Sequence, residues 1–167
     1  MNTTLLKKNI SNVVLSRSNS NINFFTTKKS FLDKNFSSLN DVFLEINKIS
    51  EQEYGIKIKE PHLTLKKNDN NNLIPFDNGI LLINSFFTQL ENNCLIFFRL
   101  EKPILFNNNK FIDIIFTLLT PNNFETSHKL QILAKLTRIL KAPNIRKEIK
   151  GIKKPEDVLA LLLFTSS

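Results

Sequence analysis

Two histidines, His62 and His128, and one cysteine, Cys94, are the whole stock of imidazole and thiol in this chain. A mechanism needing several imidazoles is excluded, a lone cysteine closes no intrachain disulfide, and no Cys/His set reaches a zinc count. The three glycines, Gly55, Gly79 and Gly151, stand far apart, so no glycine-rich loop is available to cradle a phosphate. Neither a G-x-S-x-G elbow nor an H-E-x-x-H helix is present. No metal and no cofactor are expected. Asp113, Glu101 and Glu125 are the carboxylates a catalytic dyad would draw on, but acids flanking strands ordinarily serve turns and surfaces. His62, after Pro61 at a helix start, reads as a surface or half-buried residue. Cys94 reads as a small core hydrophobe ahead of an apolar strand.

The elements that must position any site follow from periodicity. Residues 1–37 are the least regular part, rich in Ser, Thr and Asn, with five Lys and Arg before the first acid, Asp33. That composition resembles an organelle transit peptide, and the alternative is a bacterial N-terminal segment with an early strand over 10–15. A domain is expected over 38–167. From Leu39 to Ile49, Val42, Phe43, Ile46 and Ile49 recur at helical spacing, with Ser38 or Asn40 as cap. A short helix is expected over 60–67, and a loop over 68–72. Three strands are expected: Ile80–Ile83 after the Asn78-Gly79 turn, Leu95–Leu100 ending in charge at Glu101 and Lys102, and Phe111–Leu119. Apolar runs without polar alternation fit strands covered on both faces. The last third is helical. Leu130, Leu133, Leu136 or Thr137, and Leu140 share one face, widened by Ile132, Ala134 and Ile139, with Thr126 or Ser127 as cap and Pro143 as stop. A short helix over 143–149 ends at Gly151, and another opens at Pro155 with Glu156 and Asp157 and runs to Leu163. This is a layered α/β or α+β domain.

The stretch Glu101-Lys102-Pro103-Ile104-Leu105-Phe106, followed by Phe111-Ile112-Asp113-Ile114-Ile115-Phe116-Thr117-Leu118-Leu119-Thr120-Pro121, resembles the E-x-P-I-x-F … V-D-L-V-F-x-L-L-x-P pattern of type-2 enzyme IIA domains. These are the fructose-, mannitol- and nitrogen-related IIA proteins of the bacterial phosphotransferase system. The helix 130–140 is similar to the family's H-L-x-x-L-x-x-L-A-x-x-L helix. Residues 145–149 and 155–159 are similar to its closing helices. The resemblance implies an α/β fold, a mixed β-sheet flanked by helices on both sides.

It also implies a phosphoacceptor histidine, and here the chain departs from the family. The family's acceptor lies in G-N-G-I-A-I-P-H-A; the corresponding run is Asn78-Gly79-Ile80-Leu81-Leu82-Ile83-Asn84. Ile83 stands for the proline and Asn84 for the histidine. An imidazole offers a free ring lone pair to phosphorus, whereas the carboxamide nitrogen of Asn84 has its lone pair delocalised into the carbonyl. The family's second histidine aligns with Lys129. His128, one residue earlier, is the possible substitute, although a shift of one residue turns a helical side chain by about 100°. The family's arginine–glutamate pair falls near Asn68-Asp69, and its glycine-rich loop becomes Leu73-Ile74-Pro75-Phe76.

The expected function is that of a degenerate IIA-like regulatory protein of the nitrogen-related branch, since no transporter is fused to it in this sequence. It would act by binding target proteins or the histidine phosphocarrier. The alternatives are an active phosphoryl carrier using His128, and a basic nucleic-acid-binding protein. The chain has 167 residues, 41% hydrophobic and 23% charged, with 23 Lys and Arg against 15 Asp and Glu, a net +8. The cations between Lys129 and Lys154 spread over three helices with no interleaved stacking aromatics, so charge alone does not make a nucleic-acid partner. No apolar run approaches the roughly 20 residues of a membrane span, and a cytoplasmic location is expected, or an organelle if the N-terminus is a transit peptide.

Overall fold

The computed structural model describes residues 27–55, 73–87, 90–123 and 125–165. Five strands form one mixed sheet: β1 (Thr27–Lys34), β2 (Leu73–Pro75), β3 (Ile80–Phe87), β4 (Cys94–Asn107) and β5 (Lys110–Pro121). Their spatial order is β1-β4-β5-β3-β2. β1 runs parallel to β4 and β3 parallel to β5, while β4/β5 and β2/β3 are antiparallel. Among the described residues one helix, α1 (Leu39–Tyr54), packs on one face. Three helices, α2 (Thr126–Leu140), α3 (Ile145–Gly151) and α4 (Asp157–Thr165), cover the other.

The unbroken apolar strands are explained by this layering. Leu81 and Ile83 of β3 point into a core with Val42 and Ile46 of α1. Ile80 and Leu82 point oppositely, into a core with Ile132, Leu136, Ile145 and Val158. Successive strand residues face opposite sides, so both parities must be apolar. On β5 the alternation breaks once. The amides of Asp113 and Ile114 both donate to the Gly79 carbonyl, at 3.1 and 3.4 Å. Such a bulge places two successive residues on one side, and Asp113 joins Ile114 on the α3 face.

α1 begins at a reciprocal cap. The Ser38 hydroxyl accepts from the Asp41 amide at 3.4 Å, and the Asp41 carboxylate accepts from the Ser38 amide at 3.1 Å. The helix runs past the expected Ile49 to Gly55, whose φ of 64° closes it in the left-handed region.

Several sequence expectations are corrected. Thr27–Lys34 lies inside the segment 1–37 expected to be irregular, yet it is a strand, because its backbone pairs with Cys94–Leu100. β4 does not stop at the charges Glu101 and Lys102. Those side chains are exposed, Ile104 re-enters the core, and Pro103 falls where the β4–β5 register shifts. A proline there removes no ladder hydrogen bond. Leu73–Pro75, expected as a replaced loop, pairs with β3 as an edge strand. On α2 the buried residues are Ile132, Leu136, Ile139 and Leu140, all within the expected apolar face, whereas Leu130, expected on that face, is 60% exposed. Glu125 occupies the N-cap position without a side-chain cap bond, and Thr126 and Ser127 lie in the first turn.

Gly151 does not end α3 in a left-handed cap. The end is held from the sheet: Arg99 of β4 donates to the carbonyls of Ile149 at 3.2 Å, Lys150 at 3.3 Å, and Ile152. A guanidinium has five donors, so one buried side chain satisfies several orphan carbonyls and places a positive charge at the negative helix end. The expected helix over 60–67, His62, the loop over 68–72, the Asn68-Asp69 positions and the early strand over 10–15 all lie outside the described residues.

Candidate functional site

β3 and the first turn of α2 bring the candidate residues to one end of the sheet. Asn84 lies near the end of β3 opposite Leu118 and is 5% exposed. Its parity is that of Ile80 and Leu82, so it faces the α2 layer. Its Oδ1 is buried and accepts no hydrogen bond among the described residues. Phe86, two residues on and about 7 Å further along the same face, is partly exposed.

Lys129 meets that strand. Its ammonium sits 4.9 Å from the centroid of the Phe86 ring and donates to the Asn122 carbonyl at 2.8 Å. A cation over an aromatic face is attracted by the ring quadrupole, by about 0.5–1 kcal/mol at an exposed site. The structure therefore places Asn84 and Lys129 at the same end of β3, with the ammonium over the ring of Phe86, two residues from Asn84. His128 is exposed on the first turn of α2. Phe86 went unremarked in the sequence; the signal was its i+2 spacing from Asn84 on a strand.

A second polar cluster lies at the other end of β3. Asp113, expected as a turn or surface acid, is instead buried at 6% exposure. Arg146 grips it with two bonds, Nη1 to Oδ1 at 2.6 Å and Nη2 to Oδ2 at 2.8 Å. Lys150 reaches Oδ2 at 2.6 Å. Arg146 Nη1 also donates to the Asn78 carbonyl at 3.0 Å, which ties α3 to the turn before β3. Arg146 and Lys150 are four residues apart and so share a helix face. Burial works against the charge on Asp113, but the hydrogen bonds and charges of Arg146 and Lys150 outweigh it and hold the carboxyl below its usual 3.8. Glu101 and Glu125, the other acids of the expected set, are exposed, and Glu101 accepts from Asn35 at 2.6 Å.

A pH dependence follows from that depression. The folded carboxyl gives up its proton more readily than the unfolded one, so its contribution is present above the ordinary carboxylate range and is lost as pH falls through the folded value. Melting temperature should decline as pH drops below about 4, and Asp113→Asn should flatten that decline while lowering stability at pH 7. An unchanged acid limb in the variant would remove Asp113 from the account.

Among the described residues no three His, Cys, Asp or Glu side chains gather as a metal site requires. Nor, among them, is any helix long and apolar enough to cross a membrane. Cys94 is buried, in keeping with a core role.

The model of the phosphoenolpyruvate-dependent sugar phosphotransferase system EIIA 2 family matches residues 23–164. No curated protein matches the chain. Among solved structures, the chain is similar to the nitrogen regulatory protein IIA-Ntr from Neisseria meningitidis, with 23% identity, 79% of this chain and 91% of that one covered, and a TM-score of 0.69. It is also similar to a PTS IIA domain from Streptococcus pyogenes M1 GAS, with 14% identity, 92% and 95% coverage and a TM-score of 0.64. The mannitol IIA of Escherichia coli matches with 13% identity, 84% and 95% coverage and a TM-score of 0.55. At these identities the likeness is one of fold, and the mixed sheet between two helical layers agrees with it.

Proposed function

The chain belongs to the phosphoenolpyruvate-dependent sugar phosphotransferase system EIIA 2 family, and from that premise we propose that it is a nitrogen-related regulatory protein that acts by binding other proteins, its phosphoryl transfer lost. The observation that carries this reading is the amide of Asn84, buried on β3 where the family resemblance calls for an acceptor imidazole. A carboxamide nitrogen does not attack phosphorus at neutral pH. Lys129, held over Phe86 and by Asn122, supplies a charge that attracts a phosphoryl group but no ring nitrogen of its own to accept it. The protein therefore engages its partners in one fixed state, and its place of work is the cytoplasm. That a structural neighbour is a nitrogen regulatory protein supports the branch chosen.

The test is phosphoryl uptake. The pure chain, incubated with labelled phosphoenolpyruvate, enzyme I and the histidine phosphocarrier, should acquire no acid-labile phosphate. Stoichiometric labelling that disappears in His128→Ala would instead establish the carrier reading.

A further inference from the structure

The end of the sheet remote from Asn84 carries an unusual surface. Leu105 and Phe111 are cross-strand partners on the β4–β5 hairpin and are 53% and 63% exposed. Their neighbours Ile104 and Ile112 belong to the α1 core, so by parity Leu105 and Phe111 lie on the opposite face, the one carrying α3. Phe111 is two residues from Asp113, on the same side of β5. There Arg146 and Lys150 share the single carboxylate of Asp113, and both stay partly open to solvent, with 38% and 36% of their side chains exposed. Scattered exposed apolar residues are ordinary. A leucine paired across the strands with an aromatic ring that stands two residues from the carboxylate shared by two cations is not scattered. The trio carries one positive charge in excess.

We propose that this surface docks an acidic, apolar segment of a partner protein, one whose carboxylates meet Arg146 and Lys150 while a leucine or aromatic side chain packs on Leu105 and Phe111. Charge complementarity selects that partner. An incoming carboxylate neutralises the excess charge without disturbing Asp113, and water is displaced from the apolar pair. Aromatic and arginine side chains at the centre of such a patch are the usual carriers of binding energy. The proposal rests on the protein-binding reading above and names the chemistry of the partner. It adds a surface at the opposite end of β3 from the candidate site.

The experiment uses the full chain, isotopically labelled for amide spectra, and a fluorescent synthetic peptide of alternating glutamate with phenylalanine and leucine. One control peptide has lysine for every glutamate, and another has serine for every apolar residue. Amides of the hairpin and α3 should shift on titration, and both controls should bind at least about tenfold more weakly. Phe111→Ser should weaken binding at least about tenfold, and Lys150→Gln severalfold with a shallower salt dependence. Leu105→Ser provides a second apolar variant, and since both apolar side chains are exposed, amide spectra can verify that the variants fold. Lys48→Ala, an exposed cation of α1 on the other face of the sheet, should bind as the parent does.

Shifts confined to the Asn84 end, or parent-like binding by Phe111→Ser, would overturn the proposal. So would concentration-dependent self-association abolished by Phe111→Ser, which assigns the patch to a second copy. Phe111-dependent binding to phosphatidylserine vesicles without peptide binding would assign it to a lipid surface and equally overturn it. The phosphoryl-uptake assay is independent of all these outcomes. Labelling there would defeat the lost-transfer reading while leaving the mapped surface standing, and absence of peptide shifts would defeat the surface while leaving that assay's result intact.

Discussion

Asn84→His is expected not to restore efficient phosphoryl uptake: its rate should stay at least about 10²-fold below that of a family member with an intact site, because a reacting group misplaced by about 1 Å costs that much. The replacement imidazole would enter a slot that is 5% exposed and shaped around a smaller amide. The preceding residue is Ile83, fully buried in the α1-side core, where the family has a proline that fixes the strand exit. The partner position holds Lys129, committed to the Phe86 ring and to the Asn122 carbonyl. Leu73–Pro75, where the family has a glycine-rich loop, is hydrogen-bonded to β3 itself. Lys129 can attract the phosphoryl group electrostatically, which accounts for any trace of label. The measurement is the initial rate of acid-labile label from the histidine phosphocarrier. A rate equal to that of an intact family member would mean that the pocket is whole and that only one side chain has been lost.

Gly79→Ala should destabilise the fold by about 3 kcal/mol, from two additive causes. Gly79 has φ +80°, a conformation that costs a residue with a Cβ roughly 1–3 kcal/mol. An added Cβ would also meet Arg146 Nη1 at 2.8 Å and Asp113 Oδ1 at 3.3 Å. Relief requires Arg146 to withdraw, which loosens its grip on the buried carboxylate and on the Asn78 carbonyl. Denaturant titration of Gly79→Ala, Arg146→Ala and the double variant separates the two causes. The glycine substitution should cost less in the Arg146→Ala background, where the backbone strain and the milder contact with Asp113 remain. Equal costs in both backgrounds would show that the guanidinium is not the obstacle.

Composition and periodicity determined the class of the protein. Apolar runs at 80–83, 95–100 and 111–119 require strands covered on both faces, and the two parities of β3 enter two separate cores. The motif spacing from Gly79 to the closing helices carried the family, and the identity of residue 84 carries the proposal that phosphoryl transfer is lost, since no fold gives a carboxamide an imidazole's lone pair. What the tertiary structure decided are the contacts made across long sequence separations. Nothing near Gly151 announces that Arg99, about fifty residues away, closes α3 in its place. Nothing local to Asp113 announces a bulge that turns it toward Arg146 and Lys150. The exposure of Leu130 on α2 was equally hidden, because it is as apolar as Ile132, Leu136, Ile139 and Leu140 on the same broad face. Only packing against β3 and β5 selects which of them is buried.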